Sequence, residues 1–220
     1  MTTTAITENV EQVKQRIDAA AQRSGRSSKD VTVVAVTKSA SVGQILEAQQ
    51  AGLSVFGESR VQDAMEKIAQ VPAEWHMIGH LQSNKVKPAL GLFQMIQSVD
   101  SVRLAQKMNE ELLIENKMMP VLLELNVSGE AQKHGFGPEE IYSAVDVIKP
   151  LTQIFVKGVM GVAPNVAIEA PRREAFKKLK NIFIVLKALK SDRFQMQTLS
   201  ICQSMIIQLL HSPSLRLNPR

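Results

Sequence analysis

Short apolar runs alternate with longer amphipathic segments along most of the chain. The first run, residues 31–36, is a nearly continuous series of β-branched residues, which suits a strand buried on both faces. Six further apolar runs predict strands at 53–56, 75–78, 93–96, 121–127, 154–160 and 194–199. Amphipathic patterns predict helices at 42–51, 61–69, 101–115, 138–148 and 171–189. This alternation is typical of an α/β fold with a parallel sheet.

Another amphipathic helix is predicted ahead of the first strand. Val10, Val13, Ile17 and Ala20 recur at helical spacing, and we expect Thr7 to cap the helix N-terminus.

Seven strands are one short of a closed barrel, and a weak eighth candidate lies at 214–217. The alternation also fits an open doubly wound sheet, but no GxGxxG loop follows the first strand, which argues against dinucleotide binding. We therefore expect a (β/α)8 TIM-type barrel with an N-terminal helix, forming one domain over residues 1–220. The last strand is expected to be short or degraded.

Composition narrows the class of protein. The chain is 45% hydrophobic and 21% charged, as in folded globular proteins. The net charge is +5, but the basic residues are dispersed and aromatic residues make up only 4%, so we expect no nucleic-acid partner. A modest positive excess fits attraction of a small phosphorylated ligand better.

The N-terminal region lacks the basic-then-apolar order of a secretion signal, and no apolar run reaches membrane-spanning length. A single cysteine, Cys202, cannot form an internal disulfide. We therefore expect a cytoplasmic protein without a membrane partner. Four scattered histidines and one cysteine show no metal-ligand spacing, so we also expect no metal.

Polar residues at the ends of the predicted strands are the candidates for chemistry, because these ends face the active-site mouth of a barrel. Lys38 follows the first strand. At the edge of an apolar interior its amine would lose hydration and become a nucleophile able to form an imine with an aldehyde. The alternative is that Lys38 simply points into solvent.

Other strand ends also carry polar groups. The segment 75–85 is the densest polar cluster and is typical of a site loop, although either of its histidines could instead be structural. Polar residues at two later strand ends could cradle a phosphate or could be ordinary turn and cap residues; these are Glu124, Asn126, Ser128, Thr198 and Ser200.

The order of several segments carries a resemblance to a known family. These segments are VAVTK ending at Lys38, FGE at 56–58, WHMIGHLQSNK at 75–85, SVDS at 98–101, NVSGE at 126–130, KHGF at 133–136, and GVM at 158–160 with Ala163-Pro164. From about Gln15 to Ser200 the chain resembles the pyridoxal phosphate homeostasis proteins (YggS/PROSC-like), barrels related to the N-terminal domain of alanine racemase.

The resemblance implies that the cofactor is pyridoxal 5′-phosphate (PLP), held as a Schiff base on Lys38. Ser59 stands where the family usually has an asparagine beside the cofactor. The other implied cofactor-binding residues are His80, Asn126, Met160, Ser200, Ser204 and Arg216. Arg216 aligns with an arginine thought to meet the pyridine nitrogen.

The family is described as binding, buffering and delivering PLP without catalysis of its own, in intracellular PLP and amino-acid homeostasis. The resemblance thus implies a PLP carrier, with PLP-dependent apo-enzymes as partners, and we expect a monomer. One alternative is a racemase-type enzyme, which would need a second base; alanine racemase takes one from a tyrosine in another domain, and this chain has only Tyr142.

The chain departs from the family after Ser200. The glycines of the family's phosphate-binding segments are missing, Asn218-Pro219 replaces Gly-Thr, and a proline cannot donate a backbone N–H to a phosphate. We interpret residues 201–220 as an atypical segment produced by a disturbed 3′ end of the gene, such as a frameshift near codon 201. A folded remnant without cofactor is therefore a second alternative.

Overall fold

The computed structural model describes residues 4–128, 134–162, 169–189 and 191–202. Seven parallel strands form one sheet in which every strand lies beside its neighbours in sequence. The strands are β1 (Val34–Val36), β2 (Val55–Glu58), β3 (Glu74–Met77), β4 (Met95–Val99), β5 (Met119–Leu125), β6 (Ile154–Val162) and β7 (Phe194–Cys202). The helices are α1 (Ala5–Arg23), α2 (Val42–Gln50), α3 (Val61–Gln70), α4 (Val86–Leu92), α5 (Val102–Glu115), α6 (Glu140–Ile148) and α7 (Glu169–Lys187).

All seven predicted strands are confirmed, with shifted boundaries. β1 begins only at Val34, and Val31 is exposed, so the predicted burial of the whole 31–36 run was wrong. β4 starts at Met95 because Phe93 closes a helix, α4, that the periodicity did not indicate. Pro88 stands in the first turn of that helix, where its missing N–H is tolerated. The eighth candidate at 214–217 lies outside the described residues.

Side-chain caps define where several helices begin. The N-cap of α1 is Thr4, whose hydroxyl accepts from the backbone N–H of Thr7, so the assignment of Thr7 as the cap was wrong. Ser41 forms a capping box with Gln44 at the start of α2. Ser101 caps α5 directly after β4, so the chain turns from strand to helix within a few residues.

Successive residues of each strand face opposite sides of the sheet, and the main hydrophobic core lies between the sheet and the helices. Phe56 and Trp75 pack there with ring centroids 5.4 Å apart. The other face of the sheet carries polar side chains as well as apolar ones. Ser200 on β7 donates to Gln97 on β4 at 2.7 Å, although three strand spacings would separate these strands by about 14 Å in a flat sheet. The sheet therefore curls into a barrel wall, and this polar face lines its interior.

Among the described residues, none of the helices combines the length and the apolar character needed to cross a membrane.

Candidate functional site

Lys38 lies in the turn that follows β1, at the carboxyl end of the sheet. Its side chain is exposed, as in the alternative in which Lys38 points into solvent and not in the one in which an apolar edge desolvates the amine. The position at the strand end is as expected. Because all strands are parallel, the residues after β2 to β7 gather at the same end of the barrel as this amine.

A buried ion pair supports the backbone beneath Lys38. The ammonium of Lys67, on α3, donates to the Glu58 carboxylate at 2.6 Å and to the carbonyl oxygen of Thr37 at 2.6 Å. The Thr37 hydroxyl also donates to that carboxylate at 2.6 Å, and Glu58 is fully buried. Thr37, the residue before Lys38, is thus hydrogen-bonded to both β2 and α3.

Ser59 and His80 are brought close together at the ends of β2 and β3. Gly79 packs so tightly against the Ser59 backbone that a side chain at 79 would collide with it. The carbonyl oxygen of Gly79 accepts from the Ser98 hydroxyl at 2.6 Å, which fixes this turn to β4. His80 Nδ1 lies 2.6 Å from the Asp100 carboxylate, so one ring nitrogen of the predicted site histidine is already engaged.

A row of three residues crosses β5, β6 and β7 inside the barrel. Glu124 pairs in register with Met160, and Met160 pairs with Ser200. Two predicted site residues, Met160 and Ser200, are therefore adjacent. Glu124 stands beside them, in a position the sequence marked only as one of several polar strand ends.

A hydrogen-bond chain extends from Ser200 through the barrel interior. The Gln97 side-chain amide nitrogen can only donate, so the His76 Nδ1 atom 2.7 Å away accepts its hydrogen bond. The proton of a neutral His76 then sits on Nε2, which donates to the Glu74 carboxylate at 2.8 Å. Burial lowers the pKa of His76 despite the opposing effect of Glu74, which agrees with a neutral ring.

Glu124 is a buried carboxyl for which no described residue supplies a side-chain hydrogen bond or ion pair. Burial, with a further contribution from the Asp100 charge, raises the pKa of Glu124 to about 7. Burial also raises the pKa of the Cys202 thiol; the Glu124 charge raises it further, whereas Lys38 lowers it. The charges of Glu124 and Lys38 therefore both affect the pKa of the Cys202 thiol at the end of β7, in opposite directions.

Asn126 is held by the chain that follows β5. Its side-chain oxygen accepts from the Ser128 hydroxyl at 3.0 Å, and its backbone N–H donates to the Phe136 carbonyl oxygen at 2.9 Å. Gly135 allows the chain to pass close to Asn126 at this point. Its φ of +110° favours glycine, and a Cβ there would lie 2.8 Å from the Asn126 nitrogen.

Two of the predicted site residues, Ser204 and Arg216, lie outside the described residues. The sequence analysis did not name Gln97 as a site residue, and it included Asp100 only within the SVDS segment at 98–101. No local pattern marks Gln97, because other polar residues lie close to it on both sides. Asp100 follows β4, as Lys38 follows β1, so the strand-end rule could have found it.

The described residues fit the aldehyde and ring portions of PLP. The cofactor requires an accessible primary amine, and Lys38 offers one. It also requires polar groups around its ring, and Glu124 provides a buried carboxyl without a described partner. The segment that resembles the family's phosphate-binding strand falls at residues 214–217, outside the described part of the chain.

A barrel of parallel strands with a lysine after the first strand defines the class to which this chain belongs. The family model for the alanine racemase N-terminal domain matches residues 3–217. More narrowly, the chain belongs to the pyridoxal phosphate homeostasis proteins. The member from Pseudomonas aeruginosa is 36% identical over 184 residues, which are 82% of this chain and 80% of that protein. The family resemblance is therefore confirmed.

Solved structures support the same assignment. An unknown protein from Bifidobacterium adolescentis superposes with a TM-score of 0.84 at 30% identity, covering 94% of this chain and 88% of that one. PipY of Synechococcus elongatus PCC7942, solved with PLP bound, superposes with a TM-score of 0.74 at 26% identity, covering 94% of each chain.

Proposed function

We propose that this chain binds PLP as a Schiff base on Lys38 and acts as a PLP carrier in the cytoplasm, without catalysis of its own. The observation that carries the proposal is the exposed Lys38 amine on a turn anchored through Thr37 to a buried ion pair. The PLP-bound PipY structure and the names of the curated relatives support it.

The remaining contacts are proposed from the family resemblance, and the site geometry supports those on the described strand ends. Ser59 and His80 would meet the cofactor from the ends of β2 and β3, and Met160 and Ser200 from the row inside β6 and β7. Asn126 would contribute from the end of β5. Ser204 and Arg216 are assigned by the family resemblance alone. The contact to the pyridine nitrogen and those to the phosphate depend on that resemblance too.

A racemase-type reaction is the less supported alternative. It needs a second base on the far side of the substrate, and a tyrosine is the residue that fills this role in alanine racemase. Tyr142, the single tyrosine, is on α6 and packs against the main hydrophobic core, outside the gathered strand ends. This placement favours a carrier.

The carrier proposal includes the organisation and partners of the protein. We propose a single domain over residues 1–220, a monomer, and PLP-dependent apo-enzymes as recipients of the cofactor. Transfer is chemically reasonable because an imine at an exposed strand end can be reached by water and by competing amines.

The test is a PLP titration of the cofactor-free protein, followed by borohydride reduction and peptide mass spectrometry. We expect an imine absorbance band and one reduced pyridoxyl-phosphate group on the peptide that contains Lys38. Lys38→Ala should lose both signals. Lys87→Ala, which removes an exposed lysine from α4, is the matched control and should keep both.

Three results would contradict the proposal in different ways. A wild-type chain that takes up no PLP would indicate a cofactor-free remnant. A reduced adduct on another lysine, retained in Lys38→Ala, would refute the assignment of the amine. Turnover of an amino acid by the loaded protein would replace the carrier with an enzyme.

A further inference from the structure

Three potential metal ligands from three separate parts of the chain converge at the rim of the barrel. His80 follows β3, Asp100 follows β4, and His134 precedes the short bridge by which Phe136 returns to β5. The Nδ1 atoms of His80 and His134 lie 2.6 and 3.7 Å from the same Asp100 oxygen, and one ligand atom from each residue falls within 4.8 Å of the others. Spacing along the chain carries no information about this cluster, which is why the sequence predicted no metal.

The donor set suits a transition-metal dication. Two imidazole nitrogens and one carboxylate oxygen are typical zinc ligands, and three protein ligands with one open position are typical of four-coordinate sites that bind water or substrate. In a tetrahedral site with bonds of about 2.1 Å, neighbouring donor atoms stand roughly 3.4 Å apart. The His134 to Asp100 separation of 3.7 Å is close to this value, whereas the 2.6 Å His80 to Asp100 separation must open by less than an ångström.

The two rings show which side chain would move. They are stacked 3.7 Å apart and their planes are only 9° from parallel, so no point within bonding distance lies in the plane of both rings. A metal ion bonds in the plane of an imidazole, and one ring must therefore turn. The His134 side chain is 56% exposed and is free to do so, whereas the Asp100 side chain is only 8% exposed and keeps its place.

A cleft of about 320 Å³ adjoins the cluster, and His80 and Asp100 form part of its wall. It offers room for a water molecule at the fourth coordination position. Arg103 also lines this cleft, with its guanidinium directed to the Ser83 hydroxyl at 3.4 Å. Its charge would favour an anionic fourth ligand.

We propose that His80, Asp100 and His134 form a binding site for a divalent transition-metal cation of the zinc type. Binding replaces the His80–His134 stack with two metal–nitrogen bonds. It also cross-links the ends of β3 and β4 to the chain that returns to β5. The site does not use Lys38 or a bound cofactor. It shares His80 with the proposed PLP contacts, so it is tested on protein freed of PLP.

The test uses full-length protein freed of PLP, because PLP itself binds divalent cations. Zinc chloride is titrated by calorimetry, and cobalt(II) is then added to record the visible absorbance bands of a tetrahedral site. We expect one ion per chain in both measurements and an absorbance spectrum characteristic of nitrogen and oxygen ligands.

Two variants remove a donor without removing the local packing. His134→Phe keeps a ring for the stack but no nitrogen, and Asp100→Asn keeps the shape but not the charge. Each should weaken zinc binding by about 100-fold or more. Asp146→Asn, which neutralises an exposed carboxylate on α6, is the control and should bind zinc as the wild type does.

Zinc affinity that is absent in the wild type, or unchanged in His134→Phe, would overturn the proposal. Equal losses in Asp146→Asn and Asp100→Asn would also overturn it, because they would indicate nonspecific binding to surface charge. Since His134 is exposed, His134→Phe should fold, and unchanged circular dichroism would confirm that a lost signal reports the ligand and not the fold.

Discussion

The Glu58–Lys67 ion pair allows the strongest single prediction about stability. We consider Lys67→Met, which keeps most of the side-chain volume and removes the ammonium. In the wild type this ammonium donates to the Glu58 carboxylate and to the Thr37 carbonyl oxygen, each at 2.6 Å. The variant therefore leaves a fully buried carboxylate without its counter-charge and removes one anchor of the turn that carries Lys38.

Removing one partner of a buried ion pair typically costs about 3 to 5 kcal/mol in the free energy of unfolding. The lower end of this range applies here for two reasons. Lys67 retains 13% exposure, and Glu58 keeps the Thr37 hydroxyl as a donor at 2.6 Å. A loss of about 3 kcal/mol with a urea slope of about 3 kcal/mol/M lowers the unfolding midpoint by roughly 1 M.

The assay is urea unfolding of the cofactor-free protein, followed by far-ultraviolet circular dichroism. Lys107→Met is the matched control, because that lysine pairs with Glu110 and Glu111 at the surface of α5 and should leave the midpoint unchanged. The double variant Glu58→Gln/Lys67→Met should recover part of the loss, since no charge then remains buried. A Lys67→Met midpoint equal to that of the control would refute the claim that this pair stabilises the fold.

Three further predictions concern single positions inside the barrel. The Glu124 pKa of about 7, against an ordinary 4.5, means that stability falls as pH rises from 4.5 to 7, because the unfolded chain releases its proton first. The difference of about 2.5 pKa units corresponds to a stability loss of roughly 3 kcal/mol above pH 7. Glu124→Gln should therefore stabilise the cofactor-free protein at pH 8 but not at pH 4.5. An equal gain in stability at both pH values would contradict this. Gly158→Ala should strongly lower the melting temperature, because its Cβ would overlap the Thr198 carbonyl oxygen, whereas Gly91→Ala has open space and should be neutral or stabilising. Gln97→Leu should destabilise by about 1 to 3 kcal/mol in urea unfolding by leaving buried hydrogen-bond partners unsatisfied, and an unchanged midpoint would show that this chain of bonds contributes nothing.

The sequence by itself determined the order and kind of the elements. The alternation of apolar runs and amphipathic segments is local, so it predicted seven strands and most helices to within a few residues. It also placed Lys38 at a strand end, and the run at 75–85 carried the family assignment. Local patterns were weakest at boundaries. β1 starts at Val34, the first residue that pairs with β2, and hydrogen-bond geometry decided that Thr4, not Thr7, caps α1.

Only the tertiary structure decided which distant residues meet. Strand curvature brings Ser200 to Gln97 across the barrel, and strand register places Glu124 beside Met160. The sequence left open whether Lys38 is desolvated or points into solvent, and the structure shows that it is exposed. The physical reason is that periodicity describes one element at a time, whereas burial and contact between strand ends depend on how the whole sheet curls.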